Sequence, residues 1–336
     1  MKYIYFALLG AFVIFGSCST GEAAAGSAAL SGGSSQALLF LDCKAASEDV
    51  IEFSFSKAVK VTSINFEPDL SIASVEDGSV VRVRLKERQE PGLKFTADLL
   101  AEDEQRNTIN VLVSIRSRNN RMPQLVINEI CTDWSNPKTE FIEFKTLSAG
   151  NLGAMRVFIL GNTKATQQTI YEFLPAEVKK DEYITLHLRK VEPDCVDEYG
   201  ENLSASGGKN SSPTARDIWF PGNVKLMHKE ATAIYVMDQD DRVLAAVMLS
   251  NSQDGWWTKD YLAEAAEFLY SQGAWKSTDG NICRPADAVR STGTTNTRTI
   301  CRDETVENTN TAADWYITAT SSATPGGPNN PKRYVP

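Results

Sequence analysis

Two glutamates are the residues best suited to chemistry in this 336-residue chain: Glu129 and Glu143, each beside apolar neighbours in a short run enriched in β-branched or aromatic residues. If those runs pair as adjacent strands, the carboxylates face each other and titrate as a coupled pair. A glycosidase sets two such acids roughly 5 to 10 Å apart in a cleft. The reading as a carboxylate-dependent hydrolase therefore requires both to be reachable by solvent. The remaining chemistry is sparse. His187 and His228 are the only histidines, and neither has a patterned serine, cysteine or second ligand nearby, so a triad or a three-ligand zinc site is poorly supported. No CxxC and no glycine-rich phosphate loop occurs. The expectation is no catalytic residue, no cofactor and no metal: a non-enzyme. Asp238, Asp240 and Asp241 raise a calcium question, but the glycine and distal glutamate of an EF-hand loop are missing, which favours a solvated hairpin turn.

Three tryptophans offer binding rather than catalysis. Trp256, Trp257 and Trp275 surround a stretch, Lys259 to Tyr270, in which Tyr261, Leu262, Ala265, Phe268 and Leu269 recur at helical spacing. Exposed, they are candidate ligand-binding residues that stack on sugar rings; buried, they hold that helix down. Of six cysteines, Cys283 and Cys301 lie in a polar stretch in need of a staple and are the expected disulfide. Cys43 and Cys131 read equally as small buried hydrophobes.

These groups need elements to position them. Lys2, the apolar run Tyr3–Phe15 and the small residues before Cys18 resemble a bacterial lipoprotein signal, in which Cys18 becomes the lipidated first residue; plain secretion is the alternative. Residues 1–17 are then a signal peptide and 18–36, almost wholly Ser, Gly and Ala, a flexible tether. From residue 37 short apolar runs alternate with turn residues. Ile51, Phe53 and Phe55 against Glu52, Ser54 and Ser56, and Val81, Val83 and Leu85 against Arg82, Arg84 and Lys86, predict strands with one wet face. Seven such strands are expected over 37–118, a small immunoglobulin-like β-sandwich. The basic stripe Arg82, Arg84, Lys86 and Arg88 reads as a solvated face paired to acids, or as a dock for an acidic polymer.

Residues 125–144 predict strand, loop, strand, and later strands follow through Leu249, with 192–217 expected as a surface loop. Ile127-Asn128-Glu129-Ile130 and Glu140-Phe141-Ile142-Glu143-Phe144, together with Trp315 and the closing Thr324-Pro325-Gly326-Gly327-Pro328-Asn329, resemble the motifs of the bacterial lamin-tail domain. The resemblance implies an immunoglobulin-like sandwich over 124–330 with an insertion at 251–313. It also implies a structural part for Asn128, Glu129, Glu143, Trp315, Pro325, Gly326 and Asn329, the glutamates accepting backbone hydrogen bonds. The fold class expected is all-β, two successive immunoglobulin-like β-sandwiches, the second with a partly helical insertion.

A net charge of −9 argues against a nucleic-acid partner, which would need a basic face. The function expected is a lipid-anchored binding or adhesion protein of the bacterial cell envelope, at the outer membrane, held to the membrane by its N-terminal lipid. Its ligand would be a protein or polysaccharide; the alternative is a structural envelope component.

Overall fold

In the computed structural model, which describes residues 37–161 and 168–336, the chain divides into two units. The signal segment 1–17, Cys18, the tether 18–36 and Asn162 lie outside the described residues. One unit runs to Arg88 and takes in Lys94–Arg116; the other comprises Gln89–Leu93 and Ser117–Pro336. Both are built mostly of β-strands, with a helical insertion in the second.

The first unit follows from its alternation. Its strands are β1 (Phe40–Ala45), β2 (Val50–Glu67), β3 (Ile72–Glu76), β4 (Gly78–Leu85), β5 (Lys94–Asp103) and β6 (Thr108–Arg116). They pair in the order β3-β4-β2-β5-β6, with β1 added on β2. Phe53, Val81, Val83, Ala97, Leu99 and Val111 share one core, and the residues between them face water. The structure merges two of the seven expected strands. Val50–Phe55 and Val59–Phe66 form the continuous 18-residue β2, because no glycine or proline lies between them to break the extended backbone. Its first half pairs with β1 and β4 and its second half with β5. The basic stripe is paired to acids: Arg82 to Glu52 and Arg84 to Asp49 at 2.9 Å, and Arg88 to Glu48 at 3.7 Å.

The second unit has two main sheets. The strands of one are β7 (Leu125–Cys131), β8 (Phe141–Thr146), β13 (Tyr183–His187), β14 (Arg216–Trp219), β17 (Ile300–Arg302) and β18 (Trp315–Ile317), in the order β14-β13-β8-β7-β17-β18. The other comprises β10 (Arg156–Leu160), β11 (Gln168–Glu172), β15 (Ala231–Met237) and β16 (Val243–Ser250), ordered β11-β10-β15-β16, and a short pair joins β9 (Gly150–Asn151) to β12 (Glu177–Val178). Ile127, Ile142, Ile184 and Leu186 from the first sheet and Val157, Ile234, Val236 and Val247 from the second meet in one core. The predicted helix forms as α1 (Asp260–Ser271) and lies against β15 and β16, burying Leu262, Ala265, Ala266 and Leu269. It ends at Gly273, whose φ of 65° lets the chain turn away.

In the six-stranded sheet of this unit β7, β8, β13, β14 and β17 are buried on both faces, and the edge strand β18 is half-buried. The sheet's apolar face meets the core; its polar face lies under two irregular segments, 192–215 and 318–333. The expected surface loop at 192–217 thus becomes a cover, because Cys195, Glu198 and Ala215 are buried and its end is strand β14. Residues 224–226, read as a strand, form none, although Leu226 still reaches the core.

Candidate functional site

Register places Glu129 opposite Glu143, Glu143 opposite Thr185, Thr185 opposite Asp217, and Cys301 on the other side of Glu129. One level of the polar face is therefore a continuous row of side chains crossing five strands. The row exists because β7 slips register between Ile127 and Glu129, a bulge that puts Asn128 out of the alternation and turns Glu129 away from the core.

The closing segment docks on that row. The Glu129 carboxylate accepts the Thr324 amide at 3.1 and 3.2 Å, the Thr324 hydroxyl at 3.2 Å, and the Thr299 hydroxyl. The Glu143 carboxylate accepts the Asn128 side-chain amide at 2.9 Å and the Gly326 amide at 2.5 Å. Asn329 donates to the Asn128 carbonyl at 3.0 Å and to the Arg302 carbonyl at 2.9 Å, while its own amide is held by Glu304, which Lys145 pairs at 2.6 Å. Gly326 sits at φ 83°, and a Cβ there would meet the side chains of Ser212 at 2.3 Å and Ala215 at 2.9 Å. Asn128, Glu129, Glu143, Gly326 and Asn329 are thus brought into one joint, Pro325 lies within the segment that closes it, and Trp315 is half-buried against the core in β18.

Burial pushes both glutamates above the usual carboxylate range. For Glu143 the rise is large, with the Glu129 charge adding to desolvation; for Glu129 the hydrogen bonds from Thr299 and Thr324 work against it. Both side chains are fully shielded from solvent. The hydrolase reading needed them reachable, and this pair does not meet that condition: both carboxylates are shielded from solvent and bonded to Thr299, Asn128 and the closing segment.

His187 lies in β13 and is fully buried. Its Nε2 lies 2.7 Å from the Asp217 carboxylate and its ring stacks on Trp219 at 3.7 Å. The other ring nitrogen has no hydrogen-bond partner among the described residues, so the Asp–His pair has no nucleophile attached. Asp217 also accepts the Ser212 amide at 2.8 Å, and Glu198 accepts the Ala205, Ser206 and Asp217 amides at 2.8 to 2.9 Å. These acids tie down the covering loop.

The tryptophans separate. Trp256 is 43% exposed, but Trp257 is 6% and Trp275 1% exposed. Trp257 donates its indole N–H to the Cys283 carbonyl at 2.8 Å, and both buried rings belong to the core with α1. A three-ring platform is therefore not formed: the apolar area that makes these residues good binders also draws two of them under the helix. The expected Cys283–Cys301 disulfide is absent, both thiols being unbridged, and Cys43, Cys131, Cys195, Cys283 and Cys301 are all buried. Cys283 lies by Trp257, whereas Cys301 sits on the polar row beside Glu129, so each thiol is packed into its own surroundings. Desolvation raises the Cys283 and Cys131 thiols to about 12.

The acidic turn is a hairpin turn whose carboxylates are committed. Asp240 takes Arg118 through two hydrogen bonds at 2.8 and 2.7 Å, Asp241 takes Arg156 at 2.5 Å, and Asp238 accepts the Asp240 and Arg242 amides. No group of three or more His, Cys, Asp or Glu side chains suited to a metal occurs among the described residues.

Sequence reasoning missed one feature. Trp134, 42% exposed, lies under the Arg189 guanidinium at 4.4 Å. Arg189 is itself buried, gripping Glu140 through two bonds of 2.6 and 2.8 Å and Asn223 at 3.0 Å. The available signal was a tryptophan placed beside an Asn-Pro turn; Arg189 lies too far along the chain to be linked to it by pattern.

The architecture is thus that of a β-rich protein whose second unit closes on buried acids. A family profile described as "TP_1001_2nd: protein second domain" matches residues 123–317, more than half of the chain, and the chain belongs to that family. A Treponema pallidum (strain Nichols) protein, called an uncharacterized protein, is 24% identical over 214 residues, 61% of this chain and 53% of that protein. The chain thus spans about half the length of the curated relative it matches. A crystal structure of a DUF4876 family protein from Bacteroides thetaiotaomicron aligns with a TM-score of 0.31 at 13% identity, covering 81% of this chain and 92% of that one.

Proposed function

We propose that the protein is a lipid-anchored binding or display protein of the bacterial cell envelope, recognising a protein or polysaccharide, and that both units are immunoglobulin-like sandwiches, the second of lamin-tail type. The observation that carries this reading is the joint of Glu129 and Glu143 with Thr324 and Gly326. The most chemistry-like residues of the chain are consumed in closing a frame, which leaves its loops as the surface available for recognition. The Cys18 context supplies the anchor in this proposal and the Ser/Gly/Ala tether the reach.

The test is protease accessibility on intact and permeabilised cells, alongside fractionation of a Cys18→Ala variant. Digestion on intact cells, with the variant released from membranes, is the expected outcome. Protection until permeabilisation would remove surface display, and an unchanged membrane fraction for the variant would remove the lipid anchor.

A further inference from the structure

The exposed ring of Trp134 is mounted in an unusual way. Its loop is pinned on both sides. Asp133 pairs with Lys229 at 3.0 Å and accepts the Thr294 hydroxyl at 3.3 Å, while Ser135 closes a turn with Lys138 through two backbone hydrogen bonds of 3.0 and 2.8 Å. The Asn296 side-chain amide donates to the Ser135 hydroxyl. Beneath the ring, Arg189 is fixed by Glu140. Since the guanidinium occupies one face and the residue still keeps 42% of its surface in water, the opposite face is the accessible one. A solvent-exposed aromatic normally carries rotamer freedom that binding must remove; here that ordering is already done, which is the property of a recognition anchor.

We infer that the free face of Trp134 is a subsite for a sugar ring. This rests on the proposed binding function and specifies its ligand class. The surroundings decide between classes. A protein hot spot sits within a cluster of apolar groups, whereas the side chains tied to this ring's mount are polar: the Asn223 amide, which holds Arg189, and the Ser135 hydroxyl next in the chain, which takes the Asn296 amide, with Val224 as the exposed apolar neighbour of Asn223 in sequence. One flat apolar surface mounted among polar side chains matches a pyranose, which offers a C–H face and a rim of hydroxyls. Asn223 accepts from Arg189 through its oxygen, and its NH2 is the group suited to donate to a hydroxyl.

The experiment is a glycan array probed with the detergent-purified full chain, followed by titration of the best-bound oligosaccharide from β-glucan, chitin-type and β-galactan sets. Trp134→Ala is expected to weaken binding at least tenfold, Trp134→Tyr to retain most of it, and Trp256→Ala, at the exposed tryptophan of the insertion, to leave it unchanged. Unfolding curves for each variant separate lost binding from lost fold. Glycan binding that survives Trp134→Ala in a folded protein overturns the subsite while the polysaccharide reading stands. No glycan bound by the unmodified chain overturns the sugar assignment, and Trp134-dependent binding to a purified envelope protein would then keep the wider function with a different ligand.

Discussion

In the first unit the strands have one wet face, and the charges on it pair in water: Arg82 with Glu52, Arg84 with Asp49. In the second, the inner strands of the β7–β8 sheet have no wet face, and the sheet's acidic and basic groups are locked beneath covering segments: Arg189 with Glu140, Glu129 and Glu143 with the closing segment. The same residue types therefore carry different energies. An exposed pair trades hydration for a weak, screened attraction, typically about 0 to 1 kcal/mol. A buried one has surrendered its hydration entirely, so removing one partner strands the other.

The contrast is broken or sharpened by substitution. Arg189→Ala leaves Glu140 buried without its partner, and a loss of about 3 to 5 kcal/mol is expected in denaturant unfolding of the second unit. A loss under about 1 kcal/mol would place this pair with the surface pairs. Gly326→Ala adds a Cβ against Ser212 and Ala215 at a positive φ, with an expected cost on the order of 2 kcal/mol in the same assay.

The carboxylate joint predicts a pH dependence of defined sign. Because the folded-state pKa of Glu143 lies above its unfolded value, its proton is held more tightly in the folded protein. Its contribution is complete below the ordinary glutamate range and is lost as pH rises through the raised value, by up to about 1.4 kcal/mol per pH unit. Glu177, Asp303 and Glu304 are shifted the opposite way and act below the ordinary range, so the slope should be read above about pH 5. Glu143→Gln is expected to flatten it; an unchanged slope would assign the dependence to other groups. The smallest effect is expected for Arg82→Ala, within about 1 kcal/mol and weaker still in high salt.

Legibility followed the same division. In β4 the alternation of Val81, Val83 and Leu85 with Arg82 and Arg84 reported the wet and buried faces directly. In β7 every residue is buried, so Glu129 could be read either as one of a catalytic pair or as a structural acceptor until the register and cover were known. The motifs around Asn128, Glu143 and Gly326 were visible in the chain, but their meeting point was not: Gly326 and Glu143 are 183 positions apart. Trp257 and Trp275 could not be separated from Trp256 by residue type, since all carry the same ring and only the helix decides which it covers.

By itself the sequence determined the β-rich character, the single amphipathic helix and the poverty of recognisable catalytic motifs. These depend on local periodicity and composition, which each segment carries within a few residues. Only the tertiary structure decided that the paired glutamates serve a joint, that Cys283 and Cys301 stay unbridged, and that Trp134 is the aromatic held rigidly in water. Those outcomes depend on contacts between residues distant in sequence, where burial and hydrogen-bond partners are set by the packing of the whole unit rather than by any one stretch.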